Sequence, residues 1–382
     1  MTRLMVSCGE ASGDLYAGAL VAALRRREPD IDVFGLGGER FRAAGGRLIA
    51  DFHGLSVTGL TEALSVIPRS FATMRQLVAS AKQEKPHALV VIDYPDFNFR
   101  LLWRIKKLGI PVIYYVSPQL WAWRAGRIRI MKRAVDRVLP IFPFEEALYQ
   151  REGIDVRFVG HPLIDLARPQ LDRDAFLSRL HLDPSKPVLA LLPGSRANEL
   201  ERLADVIAKA IPAIAQRVPG VQFVIARAPN LDDGLFEPFG ISGVTLRIVE
   251  GQADDVLNAS DAVITASGTA TVQTALHGKP MVVVYKLSPI TYRLGKRMAL
   301  VDTYAMVNLI AGERVVVELI QDACTPEAVT AEAVKLLTDQ GHRAQMKTAL
   351  YDVRRRLGGP GASERAADAI LEVCARSVQA HT

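Results

Sequence analysis

Asp93 stands directly after the apolar run Ala88–Ile92, inside the segment Ile92–Asn98 (IDYPDFN). A carboxylate at the end of a buried strand is placed to take a proton from an attacking hydroxyl. Asp96 follows three residues on, and either acid would equally suit a helix start, where Asp is a common cap. A second acid, Glu10, lies in Gly9–Asp14 (GEASGD), again directly behind an apolar run. Gly9 and Gly13 permit tight backbone geometry. Ser12 reads as the N-cap of the next helix, leaving backbone N–H groups for an anion or a sugar oxygen. A capped helix start with a solvated acid accounts for the same residues.

Two further turns suit phosphate. In Leu191–Glu201 (LLPGSRANELE), Gly194 and Ser195 turn the chain and Arg196 presents a planar cationic fork matched to phosphate oxygens. Asn198 and Glu201 have capping-box spacing and predict the helix start. In Thr265–Pro280, the residues Ser267, Gly268 and Thr269 end a strand and open a helix whose N–H groups again favour phosphate. Gln273, four residues beyond Thr269, shares its helical face one turn deeper, within reach of a ribose. His277 reads as a last-turn residue ahead of Gly278. Two such turns in one region argue for a nucleotide diphosphate. Asn308 and Gln321 are polar positions among apolar neighbours, and core amides bonded to backbone would explain them too. The chain has no GxGxxG, no Walker A sequence, no HExxH and no cysteine pair. No cofactor and no metal are expected; an arginine and helix starts would stabilise a departing diphosphate.

These turns need a scaffold that ends strands beside one another. Apolar runs at Leu4–Cys8, Val33–Phe34, Ala88–Ile92, Val112–Val116, Val135–Ile141 and Val156–Val159 alternate with helical patterns. Such runs suit strands of a parallel sheet buried on both faces. The series restarts at Pro187–Leu192, continues with a helix over Asn198–Gln216, and proceeds through Val221–Ala226, Val244–Val249, Ala262–Thr265 and Met281–Tyr285. With 382 residues, a prior of about 100–200 per domain predicts two domains. The expected fold class is α/β, with two Rossmann-like doubly wound domains facing a central cleft. Their predicted extents are 1–170 and 171–359, with the helix at about 360–382 returning to the first. Ligands of such sheets bind outside the carboxyl ends of the strands.

Composition narrows the class. The chain is 49% apolar and 23% charged, with formal charge +6. That describes a globular protein with a mild basic excess. The cysteines Cys8, Cys324 and Cys374 are far apart and read as reduced thiols. No apolar stretch approaches the ~20 residues that span a bilayer, and no targeting segment is expected at the N-terminus.

Taken together, the segments resemble the lipid-A-disaccharide synthase family of inverting GT-B glycosyltransferases. GEASGD, GIPVIYYVSPQLWAWR, VGHPLID, LLPGSR, ASGTAT and MVNLIAGE occur in family order and spacing, nearly end to end. Val116–Arg124 (VSPQLWAWR) is the most diagnostic; LPGSR and SGT alone would fit several glycosyltransferases and sugar-nucleotide epimerases. The resemblance implies UDP-2,3-diacylglucosamine as donor, 2,3-diacylglucosamine 1-phosphate as acceptor, and a β-1,6-linked disaccharide 1-phosphate with UDP as products. It implies Asp93 as general base, Arg196 on the donor diphosphate, Glu10 and Ser12 in the cleft, and Ser267, Thr269, Asn308 and Gln321 in or near the UDP site. Family members often carry glutamate where Gln273 stands; an amide oxygen still accepts, without the charge. A sugar-nucleotide 2-epimerase and a non-catalytic nucleotide or lipid sensor are the rival readings.

An acylated substrate adds a requirement for lipid contact. Val66, Ile67, Phe71 and Met74 would form an apolar surface, with packing on the domain core as the competing account. Arg127, Arg129 and Arg133 belong to a run of six basic residues between Arg124 and Arg137, opposed in sequence by Asp136 alone. Trp121 and Trp123 precede it, and aromatics beside basic groups suit an anionic interface. A nucleic-acid patch or a solvated helix face has the same composition, but the resemblance favours membrane or acceptor phosphate over nucleic acid. The implied location is peripheral, on the cytoplasmic face of the inner membrane. A homodimer is compatible with the sequence.

Overall fold

The apolar runs form two all-parallel sheets. In the computed structural model the described residues are 1–53, 55, 60–120, 125–229, 231–287 and 303–379, with backbone alone at 60–66, 125 and 377–379. The chain divides into two units. One comprises Met1–Asp165 with Leu357–Thr382, the other Leu166–Arg356.

The first sheet contains β1 (Arg3–Cys8), β2 (Asp32–Gly37), β3 (Arg47–Asp51), β4 (Ala88–Ile92), β5 (Val112–Tyr115) and β6 (Arg137–Leu139). Its order is β3-β2-β1-β4-β5-β6. The second contains β7 (Val188–Leu192), β8 (Gln222–Arg227), β9 (Thr245–Glu250), β10 (Ala262–Ala266), β11 (Met281–Tyr285) and β12 (Val317–Ile320), in the order β12-β11-β10-β7-β8-β9. Read from the other edge, the second sheet repeats the order of the first. In both, the chain reverses direction of winding between its first and fourth strands. The crevice at such a point is where open α/β sheets bind ligands. The ends of β1 and β4 carry Glu10 and Asp93; the ends of β7 and β10 carry Arg196 and Thr269. All four turns singled out by chemistry therefore lie at the two switch points.

Central strands follow the expected runs because both faces are covered: β4 and β7 are buried at every position. The edges depart from expectation. The Val135–Ile141 run yields only β6, and Val156–Val159 contributes a single bridge, Val138 to Val156. Conversely, β3 and β12 are half-exposed edge strands with Arg47 and Glu318 inside them, so they lack the continuous apolar signal.

The C-terminal helix Ala362–Gln379 packs in the first unit. Arg27 of the helix Ala11–Arg27 binds Glu364 and Asp368, with an Nη2–Oδ2 distance of 3.0 Å to the latter. The Arg137 guanidinium, almost enclosed, meets Glu372 at 2.8 Å and Asp155 at 3.0 Å. These arginines hold the Asp368 and Glu372 carboxyls below their usual range. Among the described residues, no helix is long and apolar enough to cross a membrane.

Candidate active site

At the first switch point the backbone is strained. Asp93 (φ 46°), Tyr94 (φ 49°) and Val116 (φ 57°) all adopt left-handed geometry at the ends of β4 and β5. Each such residue costs on the order of 1–3 kcal/mol unless its surroundings impose it, and such strain gathers at functional sites. The surroundings here are specific. The Asp93 carbonyl accepts from Asn98 Nδ2 at 2.7 Å and from the Tyr114 hydroxyl at 3.1 Å. Its N–H is shared between the Tyr115 and Val116 carbonyls at 3.4 and 3.3 Å. Asn98 is fully buried and accepts from Ser7 Oγ of β1 at 2.7 Å. Asn98 thus ties the end of β1 to the turn that carries the half-buried Asp93.

Tyr94 caps the helix Pro95–Lys106 and donates its hydroxyl to the Leu55 carbonyl at 2.9 Å. Its ring lies against Gly9, where an added Cβ would sit 2.0 Å from a ring carbon, so any larger residue would displace the turn. Burial, aided by the Glu10 and Asp96 charges, pushes the Tyr94 phenol up to about 12. Asp96 itself is exposed and pairs with Arg127 at 2.5 Å. The two acids of IDYPDFN are therefore distinguished: Asp96 is bound to a guanidinium, while Asp93 sits on the strained turn.

Ser12 is not the N-cap. The helix starts at Ala11 and Glu10 occupies the cap position without a side-chain cap bond. The acid at the other end of the motif is structural. Asp14 accepts from the N–H groups of Gly38, Arg40 and Phe41 at 2.7, 2.9 and 3.1 Å, capping the short helix Glu39–Ala43. The histidine of VGHPLID is also structural. His161 is enclosed by Tyr16 and Phe142, accepts from Leu163 N–H at 3.2 Å, and is kept neutral by burial, which lowers its pKa to about 3.

At the second switch point, Gly194 has φ 134° and an added Cβ would lie 2.7 Å from Glu199 Cβ. This turn brings the helix start to Ala197, with Arg196 as N-cap. Glu199, rather than the expected Asn198 and Glu201 pair, closes the helix start: its Oε2 accepts from Ser195 N–H at 3.0 Å. The reason is that the N-cap falls at Arg196, two residues before Asn198, which puts residue 199 at the third helical position, the one that reaches back. The Arg196 side chain is 44% exposed, with Nη1 at 3.6 Å from Glu199 Oε1. At the end of β10, Gly268 caps the helix Thr269–Leu276. The first N–H groups of that helix have no partner four residues back.

Several expected donor-site residues are spent on the protein itself. Ser267 Oγ donates to the Tyr304 carbonyl at 2.9 Å. Asn308, buried, accepts from the Val315 and Val316 N–H groups and donates to the Val316 carbonyl and Glu318. Glu318 also receives the Tyr304 and Ala305 N–H groups at 3.0 and 2.9 Å. Gln321 exchanges hydrogen bonds with the Leu287 backbone. Asn308 and Gln321 therefore shape the segments around residues 304–308 and 287 through their amides. Gln273 Nε2 donates to Asp254 Oδ1 at 2.7 Å, and His277 Nε2 meets the same oxygen at 2.8 Å. Glu199, Asp254 and Glu318 were missed by sequence reasoning. Their signal, an acid inside an otherwise apolar or capping context, is common to many solvated acids.

The lipid-contact residues separate. Ile67 and Phe71 are exposed, whereas Met74 and Leu77 are buried in the core of the first unit, which corrects the inclusion of Met74 in a surface. All lie on one stripe of the helix Leu60–Glu84, so the stripe is covered at Met74 and Leu77 and bare at Ile67 and Phe71. The side chain of Val66 and all of Trp121, Trp123 and Arg124 fall outside the described residues. Arg129 and Arg133 are exposed on the helix Ile128–Ala134. Arg127 is not a free surface charge, being paired with Asp96 and stacked 5.0 Å over Phe99. Nor does Asp136 oppose the run; it binds Lys106 at 2.5 Å and the Val112 N–H at 2.8 Å. Among the described residues, no group of three metal-ligating side chains comes together.

Solved structures share this architecture. A UDP-GlcNAc 2-epimerase from Neisseria meningitidis bound to UDP-GlcNAc aligns with TM-score 0.69 at 15% identity, over 97% of this chain and 100% of that one. MurG of Acinetobacter baumannii aligns with TM-score 0.58 at 15% identity, over 97% and 100%. The fold is thus GT-B-like, two parallel α/β sheets each with its polar turns at a switch point. Within that class, residues 4–373 match the lipid-A-disaccharide synthetase family model, and the chain belongs to that family. A lipid-A-disaccharide synthase from Myxococcus xanthus is 45% identical over 372 residues, 97% of either chain. One from Geobacter sulfurreducens is 42% identical over 380 residues, 98% of either chain.

Proposed function

We propose that this protein transfers 2,3-diacylglucosamine from UDP-2,3-diacylglucosamine to 2,3-diacylglucosamine 1-phosphate. The products are the β-1,6-linked lipid A disaccharide 1-phosphate and UDP. The reading is carried by membership of the family along nearly the whole chain, with Asp93 and Arg196 each standing at a sheet switch point. In the reaction the acceptor's 6-oxygen forms a bond to donor C1 as the bond from C1 to the diphosphate oxygen breaks, inverting the anomeric centre. The hydroxyl proton passes to Asp93 as general base. Negative charge gathering on UDP is met by the Arg196 guanidinium and by N–H groups at the starts of the helices Ala197–Arg217 and Thr269–Leu276. Glu10 borders the Asp93 turn in the first unit, and Ser12 follows it in the first helical turn.

The direct test supplies both acylated substrates and follows disaccharide and UDP. Equal production of both, undiminished by a chelator, is the expected result. Epimerised sugar from UDP-N-acetylglucosamine alone, with no disaccharide from the acylated pair, would overturn the proposal in favour of the epimerase.

On this reading the enzyme meets its acylated substrates at the cytoplasmic face of the inner membrane. Support comes from the bare apolar pair Ile67 and Phe71 and from the exposed Arg129 and Arg133. Each basic side chain near an anionic surface contributes about 1 kcal/mol. Arg129→Gln with Arg133→Gln is therefore expected to reduce partitioning onto anionic vesicles about tenfold or more. Unchanged co-sedimentation would remove these residues from the membrane contact.

A further inference from the structure

The Gln273 side chain has only one orientation that satisfies its neighbour. Asp254 lies in the first turn of the helix Ala253–Ala259, and its Oδ1 faces Gln273 Nε2 at 2.7 Å and His277 Nε2 at 2.8 Å. An ionised carboxylate can only accept, so the amide NH2 must point to it and the amide oxygen must point away. The same logic puts a proton on His277 Nε2. Asp254 is 25% exposed on its side chain while His277 is 6% exposed. Among the described residues, Asp254 Oδ2 and Gln273 Oε1 accept no hydrogen bond, so two acceptors and one negative charge remain together at this place. Gln273 stands one helical turn, about 5.4 Å, beyond Thr269 at the helix start. That is the scale separating the diphosphate of a nucleotide from the hydroxyls of its ribose.

We propose that Asp254 is a specificity-determining residue of the donor site, forming with Gln273 a paired acceptor for the vicinal diol of the donor's ribose. Asp254 acts twice: it locks the amide with its oxygen outward, and it supplies the charge that the amide lacks. The His277 imidazole holds the carboxylate in place from the end of the same helix. The inference rests on the reading that the second unit binds the UDP moiety.

The test compares UDP with 2′,3′-dideoxyuridine diphosphate by calorimetry, because loss of a structural tie weakens both nucleotides whereas loss of a diol contact weakens only UDP. The wild-type protein is expected to prefer UDP by about tenfold or more. Asp254→Ala is expected to bring the two affinities within about threefold by weakening UDP alone. Gln273→Glu would set two carboxylates at hydrogen-bond distance and weaken UDP. Adding Asp254→Asn to that variant exchanges amide and carboxylate, keeps the bond between the helices, and is expected to restore the preference. Equal affinity of the wild type for the two nucleotides would reject the diol contact, and absence of binding to either would reject the donor-site reading itself. A wild-type preference that persists in Asp254→Ala, or a double variant no better than Gln273→Glu, would reject the role of Asp254 and leave the donor site standing.

Discussion

Asp93→Asn is expected to lower kcat for disaccharide formation by about 10²–10⁴-fold, the usual contribution of a general base, while UDP affinity and thermal stability stay close to wild type. The substitution isolates the chemistry because asparagine is among the residues that best tolerate left-handed backbone. The φ of 46° at this position therefore survives, as do the bonds from Asn98 and Tyr114, which reach the backbone carbonyl and not the carboxylate. A bulkier or β-branched replacement would confound the result by relaxing the turn. Asp96→Asn is the control. Its carboxylate is exposed and paired with Arg127, so its loss removes a surface ion pair of modest worth. Single-turnover rates, nucleotide calorimetry and thermal melts on the three proteins make the comparison. Full activity in Asp93→Asn would mean that another group, with Glu10 the nearest alternative, takes the proton.

Arg196→Ala is expected to reduce kcat/KM for the donor by about 10²–10³-fold. Arg196 occupies the cap of a 21-residue helix directly after β7, so its charge adds to the positive end of the helix dipole. Both act on the diphosphate, and they act most strongly as its charge increases in the transition state. Since the cap bond is made by Glu199 to Ser195 N–H, removing the arginine leaves the local fold intact. Arg196→Lys should recover part of the loss, because an ammonium keeps the charge but not the planar fork. UDP binding should weaken in Arg196→Ala while uridine binding does not. Equal weakening of both would place the arginine away from the diphosphate, and its proposed role would fall.

The division between what sequence and fold contribute runs along distance in the chain. Strand positions were legible at the sheet centres, where a run such as Ala88–Ile92 is apolar throughout because both of its faces are covered. The turns were legible as well, since glycine at 194, a cationic fork at 196 and small hydroxyl residues at 267 and 269 declare their chemistry locally. Edge strands were not: β12 carries Glu318, whose carboxylate is occupied by N–H groups from another segment.

By itself the sequence determined the alternation of strand and helix, the placing of an acid and an arginine behind apolar runs, and the family pattern that relates them. Tertiary structure decided which polar groups remain for substrate. Asn98 meets Ser7 across 91 residues, Gln273 meets Asp254 across 19, and Asp96 meets Arg127 across 31. A buried or half-buried polar group bonds to whatever the fold sets within reach, because leaving it unpaired costs more than almost any alternative partner. Such pairings depend on which segments the sheets bring side by side, and no local spacing encodes that.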